Sequence, residues 1–249
     1  MARTTLRGRL TWQTAPVSRV TRETATVVTI ELKPPDWPGH RAGQHLDVRL
    51  TAEDGYTAER EYSIASAPGE PVAITVERLD NGEVSPYLTE EVRAGDELEL
   101  RGPIGGYFVW EESMGGPLVL IGGGSGIVPL RSMLRHWVNT SRTVPVRLLY
   151  SARSLGDLIY PDELRGYADS YEQVEVSFAL TREWPEGWSG HTGRIDRPLL
   201  ERLAGSPDDR PNIYICGPTG FVEAAAQWLV AIGHPPERIR TERFGPSGT

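Results

Sequence analysis

The spacing of apolar residues changes once along this chain, near residues 110–117, and that change constrains the fold more than any other feature. Before it, short runs of β-branched or alternating apolar residues follow one another: Val27–Leu32, His45–Leu50, Glu61–Ala65, Val72–Arg78 and Glu97–Arg101. Turn-forming groups separate them at Lys33-Pro34-Pro35-Asp36, Asp54-Gly55, Pro68-Gly69, Asn81-Gly82 and Ala94-Gly95-Asp96. Strands this short and closely set predict an antiparallel barrel or sandwich, with one helix over Ser85–Val92. After Gly115-Gly116-Pro117, compact apolar runs appear at Leu118–Ile121, Val146–Tyr150, Val174–Leu180 and Asn212–Cys216, with a last one near Arg238–Phe244. Helical patterns lie between them, clearest at Ile127–Val138 and Thr219–Ile232. Strands alternating with helices predict a parallel sheet covered on both faces. Two domains are expected: an N-terminal antiparallel β-barrel over residues 1–112 and a C-terminal α/β parallel-sheet domain over residues 113–249.

Composition removes several classes of function. With 39% hydrophobic and 24% charged residues, the chain reads as globular. No apolar run approaches the roughly 20 residues a spanning helix needs, and the polar stretch Met1–Leu10 does not read as a secretory signal. A net charge of −8 argues against nucleic acid as the main partner. Lys33 is the only lysine among 26 basic residues, a bias read as genome composition rather than function. The single cysteine, Cys216, rules out an internal disulfide and suits a reducing cytoplasm. It also leaves these residues too few thiolates for an iron–sulfur cluster, which takes about four. His40, His45, His136, His191 and His234 are scattered without ligand spacing, so no metal site is expected.

The segment Leu118–Pro129 runs from a strand through Gly122-Gly123-Gly124-Ser125-Gly126 into a helix. Glycines let the backbone turn tightly and approach a pyrophosphate, while free N–H groups at the helix start face the anion. The spacing differs from G-x-G-x-x-G, and no acid follows the next strand. That strand instead ends at Ser151 and Arg153, and the third ends at Thr181 and Arg182. Two hydroxyl–arginine pairs at the carboxyl ends of parallel strands suit a 2′-phosphate, which favours NADPH over NADH.

Three further segments make the chain resemble the ferredoxin–NADP+ reductase family of flavoproteins. Arg60-Glu61-Tyr62-Ser63 matches the family's R-x-Y-S motif, and Gly82-Glu83-Val84-Ser85-Pro86-Tyr87-Leu88 matches G-x-x-S-x-x-L. Cys216-Gly217-Pro218 ends a late strand, and Glu242-Arg243-Phe244 lies near the chain's end. Order and spacing fit from about Trp12 to Phe244. The resemblance implies FAD in the barrel, with Arg60 on its pyrophosphate, Tyr62 packed against the isoalloxazine and Ser63 at its polar edge. Gly82, Val84 and Ser85 would hold the second phosphate region, and the stretch Val76-Glu77-Arg78-Leu79 would run beside the ribityl and phosphate groups. Gly123, Gly124, Ser125, Gly126, Ser151, Arg153, Thr181 and Arg182 would hold NADP (or NAD), with Gly217 and Pro218 beside the nicotinamide. Cys216 would orient the reacting carbon, Glu242 would relay a proton or favour the nicotinamide charge state, and Phe244 would cover the flavin face. The chain departs from plant-type relatives in having Phe244 where they end on tyrosine, and Ser125 where many carry threonine.

The implied function is a cytoplasmic FAD-dependent NAD(P)H oxidoreductase that feeds a separate redox protein: a ferredoxin, an oxygenase, a haem protein or a molybdenum oxidoreductase. Arg3, Arg7, Arg9, Arg19 and Arg22 offer such a partner a local basic dock. The alternatives are a free-flavin or quinone reductase, or a nucleotide-binding regulatory subunit without turnover.

Overall fold

The computed structural model describes residues 10–140 and 142–245. Its first half is an antiparallel sheet of β1 (Gln13–Arg22), β2 (Val27–Leu32), β3 (His45–Thr51), β4 (Thr57–Ser63), β5 (Val72–Glu77) and β6 (Glu97–Ile104), ordered β4-β3-β6-β1-β2-β5. An antiparallel bridge between Ile64 and Ile74 joins the two ends of that order and closes the barrel. Inward residues such as Val17, Ile30, Leu46, Ile74 and Leu100 are fully buried, while charged residues alternate outward. α1 (Ser85–Glu90) caps one end, seating Val84 and Leu88 in the core.

The second half is a parallel sheet of β7 (Leu118–Gly123), β8 (Val146–Ala152), β9 (Val174–Leu180), β10 (His191–Thr192), β11 (Asn212–Pro218) and β12 (Ile239–Phe244). The order is β10-β9-β8-β7-β11-β12, so the chain reverses direction across the sheet at β7. α2 (Ile127–Val138) and α3 (Pro161–Ser170) cover one face, and α4 (Arg197–Ala204) and α5 (Thr219–Ile232) the other. The Asp196 carboxylate caps α4 by accepting from the Leu199 N–H at 2.9 Å, and Gly233 in the left-handed region ends α5.

The expected two-domain class, antiparallel barrel followed by parallel α/β sheet, is what the chain forms. Some details differ. β1 was not expected, because Ser18, Arg19, Thr21 and Arg22 dilute its apolar alternation and Pro16 interrupts it. β4 starts at Thr57 rather than Glu61, its outward Glu59 and Arg60 having masked the strand. α1 ends at Glu90, two residues before the expected limit.

The two halves share one core, in which Ala65, Ala73, Phe108 and Trp110 pack with residues of α2 and the parallel sheet. Polar contacts tie them as well. The Tyr160 hydroxyl meets Thr75 and, at 3.4 Å, Thr29. Ser132 Oγ donates to the Ser66 carbonyl at 2.7 Å, and Arg135 pairs with Glu70 at 3.0 Å. These contacts hold β2, β5 and the connection between β4 and β5 against α2 and the start of α3.

Candidate functional site

In an open α/β sheet, ligands bind beyond the carboxyl ends of the strands where the strand order reverses. Here that point lies between β7 and β11. β7 runs into a tight turn at Gly124–Gly126, and α2 follows with no side-chain cap, its leading Ile127 N–H donating to the Gly124 and Ser125 carbonyls. Gly124 takes φ +57°, in the left-handed region that favours glycine. A Cβ on Gly126 would stand 2.1 Å from the Cys216 carbonyl oxygen, so glycine lets the loop press directly on the end of β11. Cys216 pairs in register with Gly122 on one side and Glu242 on the other.

The barrel side of the crevice holds a cavity of about 320 Å³. Arg60, Tyr62, Ser63, Gly82, Val84 and Ser85 line it, and Ser125, Cys216 and Phe244 close it from the other domain. A second cavity of about 320 Å³ adjoins it, lined by Gly123, Gly124, Ser125, Ser151, Arg153, Thr181 and Pro218. Phe244 and Ser125 belong to both, so the phenyl ring stands between the barrel cavity and the glycine loop. A third cavity, about 680 Å³, continues along the sheet edge past Ser151, Arg153, Thr181 and Arg182 to Arg194, Phe221 and Trp228. Among the described residues, no carboxylate pairs with Arg153, Arg182 or Arg194.

Burial sets the charge states here. The Cys216 thiol is pushed well up by burial and by neighbouring Glu242, so it stays a neutral thiol at working pH. The Glu242 carboxyl is raised to about 7, first by burial and then by the Glu61 carboxylate, so it exchanges a proton near neutrality. Burial raises the Tyr62 phenol to about 12, with Arg60 pulling the other way. The ring therefore presents itself neutral.

Not every expected residue faces the cavities. Val76 is wholly buried in the barrel core, while its neighbours Thr75 and Glu77 line the cavity, because strand faces alternate. Arg78 turns to Glu90 at 2.5 Å and Asp80 at 3.3 Å. Gly126 and Gly217 give close packing, against Cys216 and the Phe221 ring respectively, rather than cavity wall. The Ser85 hydroxyl accepts from the Leu79 N–H at 3.0 Å, and α1, which it opens, is only six residues long. Glu77 and Leu79 of the expected stretch do line the barrel cavity, while Glu83, Arg194, Phe221 and Trp228 line cavities without a sequence signal pointing to them. Of the proposed basic dock, Arg3, Arg7 and Arg9 lie outside the described residues. Arg19 pairs with Glu31 at 2.5 Å, and Arg22 donates to the Ala25 and Thr89 carbonyls. His45 does meet Asp47 and Glu61, with ligand atoms within 4.8 Å, but Asp47 already accepts two hydrogen bonds from Arg101.

The residues present fit the two expected groups: on the nucleotide side a glycine loop pressed onto β11 at Gly126 and three arginines that pair with no carboxylate among the described residues, and in the barrel a neutral aromatic with polar neighbours. Fold and site together define a two-domain oxidoreductase using a flavin and a nicotinamide. Residues 16–109 match the oxidoreductase FAD-binding domain and residues 120–227 the oxidoreductase NAD-binding domain. The chain is 32% identical over 210 residues to the glycine betaine monooxygenase reductase subunit of Pseudomonas aeruginosa, covering 83% of this chain and 57% of that protein. It is 33% identical to the flavohemoprotein of Chromobacterium violaceum, over 94% of this chain and 61% of that one. The FAD/NAD-binding domain of nitric oxide dioxygenase from Vibrio cholerae superposes with a TM-score of 0.83 at 28% identity, covering 94% of this chain and 99% of that one. The chain thus spans less than two thirds of those two full-length relatives. It belongs to the ferredoxin–NADP+ reductase family of flavin-dependent oxidoreductases, with FAD and NAD(P) as cofactors.

Proposed function

We propose that this chain takes a hydride from NADPH onto FAD and passes the electrons singly to a separate redox protein such as a ferredoxin, oxygenase or haem protein. One observation carries the reading: the barrel cavity and the glycine-loop cavity share Ser125 and Phe244 as common wall. Bound FAD supplies the chemistry that links a two-electron donor to a one-electron acceptor. Arg60, Tyr62, Ser63, Gly82, Val84 and Ser85 hold it in the barrel. Gly123, Gly124 and Ser125 would receive the dinucleotide pyrophosphate, with Pro218 at the nicotinamide end. Cys216, neutral and buried, fixes the position of the reacting carbon, and Glu242 holds or releases a proton beside it. Phe244 stands between the two pockets and would screen the flavin face.

Ser151, Arg153, Thr181 and Arg182 support a preference for NADPH, and Arg194 joins them, because three arginines free of carboxylates suit a phosphate. These residues carry one cysteine, so an iron–sulfur acceptor must reside elsewhere. We place the domain division at residues 112 and 113, and the protein in the cytoplasm, where a lone thiol stays reduced. The test is anaerobic reduction of the yellow protein by NADPH and by NADH. Arg153→Gln with Arg182→Gln should slow the NADPH reaction about tenfold or more and leave NADH nearly unchanged. Equal losses for both donors contradict the phosphate assignment.

A further inference from the structure

Arg60 already has its guanidinium engaged. One terminal nitrogen donates to the Glu59 carbonyl at 2.7 Å, and the other to Glu83 Oε2 at 2.5 Å. The second Glu83 oxygen accepts from the Tyr56 hydroxyl at 3.0 Å. Arg60 and Glu83 both line the barrel cavity, and each side chain is 49% exposed. Hydrogen bonds from Tyr56 and then Arg60 hold the Glu83 carboxyl below its usual range, which keeps it ionised at neutral pH. A phosphate would approach the same planar fork that this carboxylate occupies. On its far side Glu83 also lines an open groove of about 660 Å³ between Tyr56 and Tyr87, with room for the carboxylate to swing away.

We infer that Glu83 is a built-in competitor for the flavin phosphate: its carboxylate occupies the Arg60 fork and must be displaced before the phosphate can take that place. This rests on the proposed assignment of Arg60 to the flavin pyrophosphate. Two consequences separate it from a merely structural ion pair. A carboxylate that only propped Arg60 in place would strengthen flavin binding, whereas a competitor weakens it. The competition also acts on phosphorylated flavins alone, since riboflavin makes no claim on the guanidinium.

The experiment measures flavin released from diluted holoprotein by its fluorescence, for the native chain, Glu83→Gln, Arg60→Gln and the double variant. Glu83→Gln should hold FAD about three- to fivefold more tightly, the weight of one exposed ion pair. Riboflavin added to the flavin-stripped protein should bind both forms alike. Arg60→Gln should release FAD more readily, and adding Glu83→Gln to it should restore nothing. Both positions are half-exposed, so the variants should keep the native thermal midpoint, which is checked in parallel. A Glu83→Gln protein that holds FAD no more tightly than the native chain overturns the competition. An Arg60→Gln protein that retains FAD normally overturns instead the assignment of Arg60 to the phosphate.

Discussion

Replacing Gly126 by alanine tests how closely the glycine loop must approach β11. At φ −62° the backbone of Gly126 is one any residue can adopt, so space is the only obstacle. The added Cβ would lie 2.1 Å from the Cys216 carbonyl oxygen, 2.4 Å from its carbonyl carbon and 2.7 Å from the Gly217 nitrogen. Carbon contacts settle near about 3.5 Å, so the loop and the strand end must part by about 1 Å. All three opposing atoms are backbone, with no flexible side chain to give way. Overpacking of this kind costs about 1–3 kcal/mol, or roughly 2–12 °C in thermal midpoint for a chain of this size. The separation falls between Ser125 and Cys216, both in the wall of the flavin-facing cavity. A misplacement of about 1 Å costs on the order of a hundredfold in rate. Rapid-mixing measurement of flavin reduction by NADPH should therefore show a loss near that size in a protein that still binds flavin. Gly166→Ala is the matched control, because a Cβ there meets nothing within 4 Å on α3 and should stabilise by about 0.5–1 kcal/mol. Native reduction rates in Gly126→Ala would refute the argument that this contact sets the site.

Further outcomes follow from charge and burial. Glu242, raised to about 7, favours its protonated form in the fold, so its share of stability is present at low pH and declines as pH rises through about 7. Flavin reduction should titrate with it, and Glu61→Gln should move that midpoint downward while burial keeps it above the ordinary carboxylate value; an unmoved midpoint disconnects the two residues. His234 is buried with neither ring nitrogen hydrogen-bonded, and burial lowers its pKa. The unfolded chain then takes up the proton first, so stability falls as pH drops below about 6.5. His234→Leu should flatten that fall and add about 1 kcal/mol near neutral pH in urea unfolding; an unchanged acid limb would clear His234 of the effect. Tyr160→Phe removes the hydroxyl between the domains and should lower the thermal midpoint by about 2–4 °C. A neutral result would assign the interface to its apolar contacts.

Much of this was legible in the residues because the signals were both local and ordered. The switch from strands to strand–helix alternation located the two sheets, and the glycine run marked the turn after β7. Arg60, Tyr62, Ser63, Ser125 and Cys216 were named from short motifs and line one cavity drawn from both domains. What was missed depends on side-chain direction or long-range approach. Val76 and Arg78 sit in the right segment, yet the strand's alternation sends Val76 inward and a neighbouring acid draws Arg78 away. A period-two reading of Val72, Ile74 and Val76 as inward picks out Thr75 and, within the named stretch, Glu77. Arg194 lies just past a two-residue strand whose place at the sheet edge no local pattern reveals. Phe221 reads as an ordinary helical apolar residue until β11 brings it against Gly123 and Gly217. Glu83 occupies a variable motif position, and only the folded chain places its carboxylate on Arg60.

The central claim is that flavin and nicotinamide meet at the wall formed by Ser125, Cys216 and Phe244. Anaerobic mixing of the purified protein with NADPH, and with NADPH deuterated at the carbon that gives up the hydride, tests it most directly. The account predicts a yellow protein whose flavin absorbance bleaches on mixing, more slowly with the deuterated donor. A protein that takes up no flavin, or a bound flavin that neither nicotinamide reduces, would contradict it.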